Sequence, residues 1–197
     1  MRYFREHSKL ISRLLINQVG MTIFGLVLTM AVMRSTGNNP TLTVAVSIFS
    51  ILFYLCLIYN VMWEEGARNI IRIKAGRMER VRGFSLKSAL FASVPNLVLA
   101  FLLFVSYFLA FPCGLDFARS IYGILHIVLA LFEAMYVGLF SIILDAFPDV
   151  AVQSLVACGL YLLSSLPMVL VSMVAYRLGE KNIYLLGKPK SKKGSND

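Results

Sequence analysis

The stretch that decides the fold is LTVAVSIFSILFYLCLIYNVM, residues 42–62, which contains no charged side chain. A helix needs about 20 mostly apolar residues to cross a bilayer, so this stretch is long enough to do so. Four more stretches of the same kind are present, at residues 14–33, 88–112, 120–144 and 150–176. They are too long and too continuous for barrel strands, which alternate over about 10 residues. We therefore predict an all-α, polytopic membrane protein with about five transmembrane helices.

The overall composition leads to the same class. Hydrophobic residues make up 58% of the 197 residues, charged residues make up 15%, and the mean hydropathy is +0.76. A soluble domain contains about 45–50% apolar and about 25% charged residues. One soluble core of this size cannot bury the surplus, which excludes an ordinary soluble enzyme. A disordered chain is excluded as well, because disorder requires low hydrophobicity and high charge.

The 19 Lys and Arg residues outnumber the 10 Asp and Glu residues, which gives a net charge of +9. All but Arg34 and Arg119 form three clusters separated by long apolar runs. The clusters lie near the N-terminus, at residues 68–87 and at residues 177–193. This distribution is typical of the positive-inside rule and not of a nucleic-acid-binding surface. We therefore predict a cell-membrane protein with its N-terminus and residues 64–87 in the cytoplasm, and without a nucleic-acid partner.

The side of the C-terminal cluster is ambiguous. Two apolar stretches separate the first and second clusters, but three separate the second and third. Either one of those three stretches does not cross fully, or the tail lies outside and breaks the rule. The candidates for an incomplete crossing are residues 120–144, which contain Glu133, and the last stretch, which Pro167 interrupts. Because apolar length is a stronger signal than tail charge, the sequence slightly favours five crossings with the tail outside.

The long polar connection at residues 64–87 has apolar residues at helical spacing and basic residues largely on the other side. This pattern predicts a basic juxtamembrane amphipathic helix that contacts anionic lipids. A solvated loop whose charges only set the topology is equally compatible. We expect residues 1–186 to form one membrane-embedded domain and residues 187–197 to form a disordered basic tail. The candidate lipid contacts are Arg68, Arg72, Lys74, Arg77, Arg80 and Arg82.

Residues 120–144, placed on one straight helix, have a polar side and an apolar side. The polar side spans an arc of about 140° at about 100° per residue. Three of its residues, Ala130, Ala134 and Gly138, follow the small-xxx-small spacing by which membrane helices approach closely. The polar side consists of His126, Ala130, Glu133, Ala134, Gly138, Ser141 and Asp145. The opposite side, predicted to face lipid, consists of Leu125, Leu129, Phe132, Tyr136, Leu139, Phe140 and Ile143.

Glu133 is the strongest candidate for a functional residue. A carboxylate at membrane depth costs about 2.5–3.5 kcal/mol on insertion scales, so we expect it to face protein or water. His126 lies two turns away, about 10 Å along the axis, so both side chains are able to line one cavity. Ser93 and Asn96, beside Pro95, are expected to line the same interior, and Ser141 shares the polar side of the helix.

This polar group has two possible interpretations. The first is a site for a proton, a cation or a solute, and the second is a hydrogen-bonded pair that only fixes helix packing. Asn17 and Gln18 near the start of the first stretch are further candidates. For these two residues the sequence favours placement among the headgroups at the membrane surface.

No motif of a known reaction is present. The sequence contains no Walker A loop, GxGxxG, HExxH or GxSxG. It has only two histidines, and its three cysteines show no CxxC spacing. We therefore expect no enzymatic activity, no cofactor and no metal site built from histidine and cysteine.

Two segments, NQVGMTIFG at residues 17–25 and YNVMWEEGA at residues 59–67, resemble stretches in uncharacterised multi-pass proteins of anaerobic Gram-positive bacteria. The resemblance covers most of the chain and implies a bacterial cytoplasmic membrane. It implies no activity, because no activity is attached to that group.

The leading functional hypothesis is a small integral membrane protein that handles a solute or an ion. It acts in transport as a homo-oligomer or as a subunit of a larger transporter. The alternative is a non-transporting accessory or assembly protein that acts through helix packing and its basic cytoplasmic segment. The partners expected under both hypotheses are a bilayer with anionic lipids and either a second copy or another membrane subunit.

Overall fold

The structure is a computed structural model that describes residues 2–36, 39–77, 79, 81 and 83–183. For residues 2–7, 33, 35 and 36 it describes the backbone alone. The described residues contain helices and no strand, which confirms the predicted all-α polytopic class. The helices are α1 (Arg2–Thr36), α2 (Pro40–Lys74), α3 (Phe84–Ala110), α4 (Asp116–Phe132), α5 (Val137–Asp145), α6 (Val150–Leu163) and α7 (Ser165–Glu180), with a 3₁₀ turn at Ala134–Tyr136 between α4 and α5.

The second helix extends well past the apolar stretch that predicted it. Its start is set by Asn39, whose side chain accepts a hydrogen bond from Thr41 N at 3.1 Å, and by Pro40 in the first turn. It ends at Lys74, two residues before Gly76, which has φ 67°. At 1.5 Å per residue α2 is about 52 Å long, and the hydrocarbon core is about 30 Å thick.

Within the described part of the basic segment, residues 64–74 form the last third of α2 and residues 84–87 form the first turn of α3, so the segment contains no separate helix of its own there. Among the predicted lipid contacts, Arg68, Arg72, Lys74 and Arg77 are exposed. Arg80, Arg82 and the predicted tail at residues 187–197 lie outside the described residues.

One end of the bundle, which we call the basic end, joins the first turns of α1 to the last turns of α2 and α7. Arg13 donates to Glu64 at 3.0 Å, and Trp63 Nε1 donates to the carbonyl of Ile183 at 2.8 Å. The ring of Phe84, the first residue of α3, lies 5.2 Å from the ring of Tyr176 on α7. The opposite end, which we call the far end, holds the end of α1 and the start of α2.

Helices α2 and α7 run parallel and touch backbone to backbone at two glycines. A Cβ atom on Gly66 would collide with the carbonyl oxygen of Tyr176, and one on Gly179 would collide with that of Trp63. Parallel packing places the C-terminal ends of both helices at the basic end. Nothing in the apolar pattern of the sequence predicted this contact.

The bent pair α4–α5 enters the bundle from the far end and returns to it. Helix α4 follows the last turn of α3, where Leu115 N donates to Leu109 O at 3.2 Å. The chain bends by 82° after Phe132. Gly138 N then donates to Ser47 Oγ at 2.9 Å, in the first turns of α2. After α5 only residues 146–149 precede α6.

Four segments are long and apolar enough to cross a membrane, namely Ser8–Val32, Pro40–Lys74, Phe84–Ala110 and Val150–Glu180. The pair α4–α5 makes a fifth only if it counts as one span. The end of α7 lies beside the end of α2 at the basic end, and both ends of the pair α4–α5 lie toward the far end. This chain path favours four crossings with α4–α5 as the incomplete crossing that the sequence left open for residues 120–144. Five crossings and the side of the C-terminal tail stay predictions, because the tail at residues 187–197 lies outside the described residues.

The buried side of α4 also differs from the predicted one, and this gives a first testable prediction. Leu129, predicted to face lipid, is 0% exposed, while Leu131, two residues later on the same helix, is 48% exposed. Leu129→Ala is expected to cost about 2–5 kcal/mol of stability, because it leaves a cavity in a packed core. Leu131→Ala is the matched control and should cost much less. Thermal melting in detergent measures both, and equal losses would contradict the difference in burial between these two side chains.

Candidate functional site

Glu133 occupies the break between α4 and the 3₁₀ turn. Its backbone has φ −111° and ψ 34°, which is not helical, and its N–H donates to Leu129 O at 2.8 Å. The side chain is 2% exposed. The break places this carboxyl group inside the bundle, between α3 and the junction of α6 with α7.

Both donors to the Glu133 side chain bind the same oxygen. Asn96 Nδ2 donates to Oε1, and the Ser164 hydroxyl donates to Oε1 at 2.5 Å. Oε2 is buried and has no hydrogen-bond partner in the part of the chain that the structure describes. Asn96 follows Pro95 inside α3, and Ser164 separates α6 from α7. The carboxyl group is therefore fixed by hydrogen bonds to Oε1, while Oε2 is left without one from the described residues.

A small cavity is lined by the Glu133 side chain. Its volume is about 10 Å³, which is close to the minimum that holds one water-sized sphere. Two other residues that line it, Gln18 and Asn96, also carry buried acceptors, Gln18 Oε1 and Asn96 Oδ1, that have no partner among the described residues. The lining residues are Gln18, Tyr54, Ser93, Asn96, Glu133, Met135, Tyr136, Ser164, Ser165 and Met168.

The structure brings together three of the five residues that the sequence grouped as a polar site. Glu133, Asn96 and Ser93 line the cavity, and Ser93 donates to Ala89 O at 3.0 Å. His126 and Ser141 do not line it. The Ser141 hydroxyl donates instead to Gly138 O at 3.0 Å, within α5.

His126 lines a second cavity, of about 250 Å³, which lies nearer the far end. Its ring stacks on Tyr122 with centroids 6.0 Å apart and meets Tyr161 edge-on at 5.7 Å. The Tyr122 hydroxyl donates to Ser154 O at 3.3 Å. The other lining residues are Gly123, Leu144, Gln153 and Ala157.

The prediction of one straight polar side for residues 120–144 is wrong, because the bend at Glu133 rotates everything after it. Ala134 and Gly138 are buried, as predicted for packing residues, but Ala130 is only partly buried. Tyr136 and Phe140, predicted to face lipid, are 5% and 7% exposed. A Cβ on Gly138 would lie 2.5 Å from Thr43 O, so this glycine packs against α2.

The sequence did not favour four of the residues at the cavity at Glu133, although it named Gln18 as a further candidate. Gln18, interpreted as a headgroup residue, is 6% exposed and lines the cavity, so that interpretation is wrong. Ser164 and the tyrosines Tyr54 and Tyr136 were not proposed at all. The pair Ser164–Ser165 before Pro167 was a visible signal of an interrupted helix, but nothing in the sequence connected it to Glu133.

A chain of aromatic rings connects the two cavities. From His126 the contacts run through Tyr161 to Phe140, with centroids 5.5 Å apart, and on to Tyr136 at 5.6 Å. Tyr136 lines the cavity at Glu133. The rings that separate the two cavities are therefore in contact with each other.

Comparison with protein-family models, with curated proteins and with solved structures finds no match to this chain. The resemblance of residues 17–25 and 59–67 to bacterial multi-pass proteins stays a prediction that these comparisons do not support.

Proposed function

We propose that this chain is a small multi-pass membrane protein that binds a proton or a small cation at Glu133 and moves it through the bundle, by itself or as a subunit of a larger transporter. One observation carries the proposal. Glu133 is a buried carboxyl group that lines a cavity, it accepts both of its hydrogen bonds on Oε1, and its Oε2 is buried without a partner among the described residues. Burying an ionisable side chain within the membrane costs free energy, and such side chains commonly have a function. We therefore interpret the buried carboxyl group of Glu133 as functional.

The depth of Glu133 supports this proposal. Its partner Asn96 lies twelve residues after the start of α3 and fourteen before its end, which is about 18 Å and 21 Å along the helix. The carboxyl group therefore lies near the middle of the bundle. Transported ions and substrates are bound near the bilayer midplane in many carriers, at interruptions in their helices.

Two helix breaks and one proline inside a helix lie at the same point. Helix α4 ends at Phe132, α6 and α7 meet at Ser164, and α3 contains Pro95. Irregular backbone at membrane depth is tolerated where it is buried in protein or lines a cavity. The concentration of such features at one carboxyl group favours a binding site over simple packing.

The cavity at His126 supplies a route from the far end. It is separated from Glu133 by the aromatic contacts of Tyr161, Phe140 and Tyr136. A proton or cation that enters there has to pass these rings. In the proposal the rings act as a barrier that moves when the site exchanges its occupant.

The orientation that we propose puts the basic end in the cytoplasm of a cell membrane. Contacts at Trp63 and Gly66 bring the end of α7 to the same end as Arg13 and Arg68. The described parts of the three basic clusters then share one side, which is what the positive-inside rule expects. Exposed bases at this end are available to anionic lipid headgroups.

Glu133→Gln tests the proposed function. The amide oxygen still accepts from Asn96 and Ser164, and the new NH₂ group faces the acceptors around the cavity, so we expect normal or higher stability. In proteoliposomes with an imposed pH gradient and membrane potential, we expect wild-type protein to dissipate the gradient. The variant should fall to the rate of protein-free vesicles.

Ser141→Ala is the control, because Ser141 lies outside the cavity and donates within its own helix. It should keep the wild-type flux. A folded Glu133→Gln protein with undiminished flux would contradict the proposal.

One observation favours the alternative function, a non-transporting accessory protein. Ile71 is 67% exposed among the exposed bases Arg68, Arg72 and Lys74 at the basic end. An exposed apolar residue amid positive charge fits a contact with lipid or with a partner subunit. In cells, a phenotype that survives Glu133→Gln but is lost when these three bases are replaced by glutamine favours this alternative.

A further inference from the structure

We propose that Glu133 Oε2, Asn96 Oδ1 and Gln18 Oε1 bind a sodium-sized monovalent cation that has shed most of its water. This inference rests on the proposed function and names the cation that the site takes. Three observations carry it, namely the chemistry of the three oxygens, the size of the cavity and the charge of the site.

The three oxygens are acceptors without a donor. The Asn96 amide is oriented by its own hydrogen bond, because Nδ2 donates to Glu133 Oε1 and Oδ1 is thereby directed away from that donor position. Glu133 Oε2, Asn96 Oδ1 and Gln18 Oε1 are all buried and lack a partner within the described chain. The three side chains are 2%, 3% and 6% exposed, so bulk water does not solvate them.

A cation satisfies this arrangement better than a water molecule does. One water has two hydrogens and is able to donate to only two of the three acceptors, whereas a cation is attracted by all three at once. Buried polar groups without partners cost about 1–3 kcal/mol each, and charged groups cost more. A buried carboxylate also requires a balancing charge, which a bound cation supplies.

The size and charge of the site select a small monovalent ion. The cavity volume is about 10 Å³, room for a single sphere of about the size of a water molecule. Among the described residues, Glu133 is the one carboxyl group that lines it, so a monovalent ion gives a neutral site and a divalent ion leaves a net positive charge. Ca²⁺ takes about 6–8 oxygen ligands and Mg²⁺ retains several waters, and neither need is met in this cavity.

A proton on Oε2 excludes the cation, because both need the same lone pairs. The titratable groups that face Glu133 are Tyr54 on α2, Tyr136 in the 3₁₀ turn and Tyr161 on α6. The cavity residues from α1, α3 and α7, such as Gln18, Asn96 and Met168, carry no titratable side chain. Proton and cation therefore compete at Glu133 itself, and cation binding should weaken as the pH falls.

The test is a thermal melt of the purified full chain in detergent, with NaCl replacing choline chloride at constant ionic strength. We expect the midpoint to rise with Na⁺ by about 5–10 °C at a hundred times Kd. The rise should be smaller at low pH and absent in Glu133→Gln. Gln18→Leu should weaken the response, while Ser141→Ala should leave it unchanged.

The other outcomes overturn the assignment. A Na⁺ response that persists in Glu133→Gln places the ion elsewhere. A response to Ca²⁺ alone shows that the cavity takes a divalent ion. No response to any cation in a folded wild-type protein shows that the cavity takes only water. Failure of the sodium site is distinguishable from failure of the proposed function. Flux in proteoliposomes that depends on Glu133 but proceeds without Na⁺ would support the proposed function with a proton as the only cargo. The same result would contradict the sodium site.

Discussion

Replacing Gly179 with alanine is expected to destabilise the bundle strongly, although it adds a single methyl group. A Cβ atom at this position would collide with the carbonyl oxygen of Trp63 and lie 3.1 Å from Ala67 N. Both are backbone atoms of α2, which are unable to move aside without displacing the helix. Overpacking typically costs about 1–3 kcal/mol, and we expect a loss at the upper end of that range or beyond it. Gly66→Ala should behave alike, because its Cβ would collide with the backbone of Tyr176.

Gly159→Ala is the matched control. Gly159 lies within α6, in the same span of the chain, and a Cβ atom there would meet nothing within 4 Å. Alanine favours a helix over glycine by about 1 kcal/mol, so this variant should be neutral or slightly more stable. Melting midpoints in detergent compare the three variants directly. A Gly179→Ala protein as stable as Gly159→Ala would mean that α2 and α7 are not in backbone contact.

The sequence predicts the helical class well, because the apolar runs are long enough to be unambiguous. Residues 42–62 lie within the continuous helix α2, and residues 88–110 of the third stretch lie within the continuous helix α3. The glycine contact between α2 and α7 was not predictable in the same way. Gly66 is surrounded by polar residues that looked like the end of a span, and Gly179 follows the last apolar stretch. Only the pairing of two distant segments shows what these glycines do.

The site at Glu133 was predictable in part, for a physical reason. A carboxyl group inside an apolar run is conspicuous in any sequence, and Pro95 marked Asn96 as a neighbour of a weakened helix. The helical period, however, assumes that the helix continues. In the folded chain the helix breaks at Glu133, where Asn96 and Ser164 donate hydrogen bonds to the side chain. Helical periodicity in a sequence does not predict such a break. His126 was therefore grouped with Glu133, although it lines a different cavity.

Cysteine labelling in whole cells is expected to give an all-or-none result for the re-entrant pair. The native Cys113 lies exposed between α3 and α4 at the far end, so it serves as the reference when Cys56 and Cys158 are replaced by serine. A cysteine at Phe147, between α5 and α6, should react with an impermeant thiol reagent from the same side as Cys113. In the proposed orientation that side is the outside.

Cysteines at Arg72 and Ile183 should remain unlabelled in whole cells and react only after permeabilisation, each in a background without Cys113. Both positions are exposed at the basic end, where Ile183 O accepts from Trp63 Nε1. If α4 and α5 together crossed the membrane, the cysteine at Phe147 would react from the side opposite to Cys113, and the one at Ile183 from the side opposite to Arg72. Either pattern would contradict the re-entrant fold. In the complete reverse, Arg72 and Ile183 would be labelled from outside, and Cys113 and Phe147 would be protected. That result would agree with the re-entrant fold, because the chain path decides only which positions share a side. It would contradict the proposed orientation, which depends on the distribution of charge.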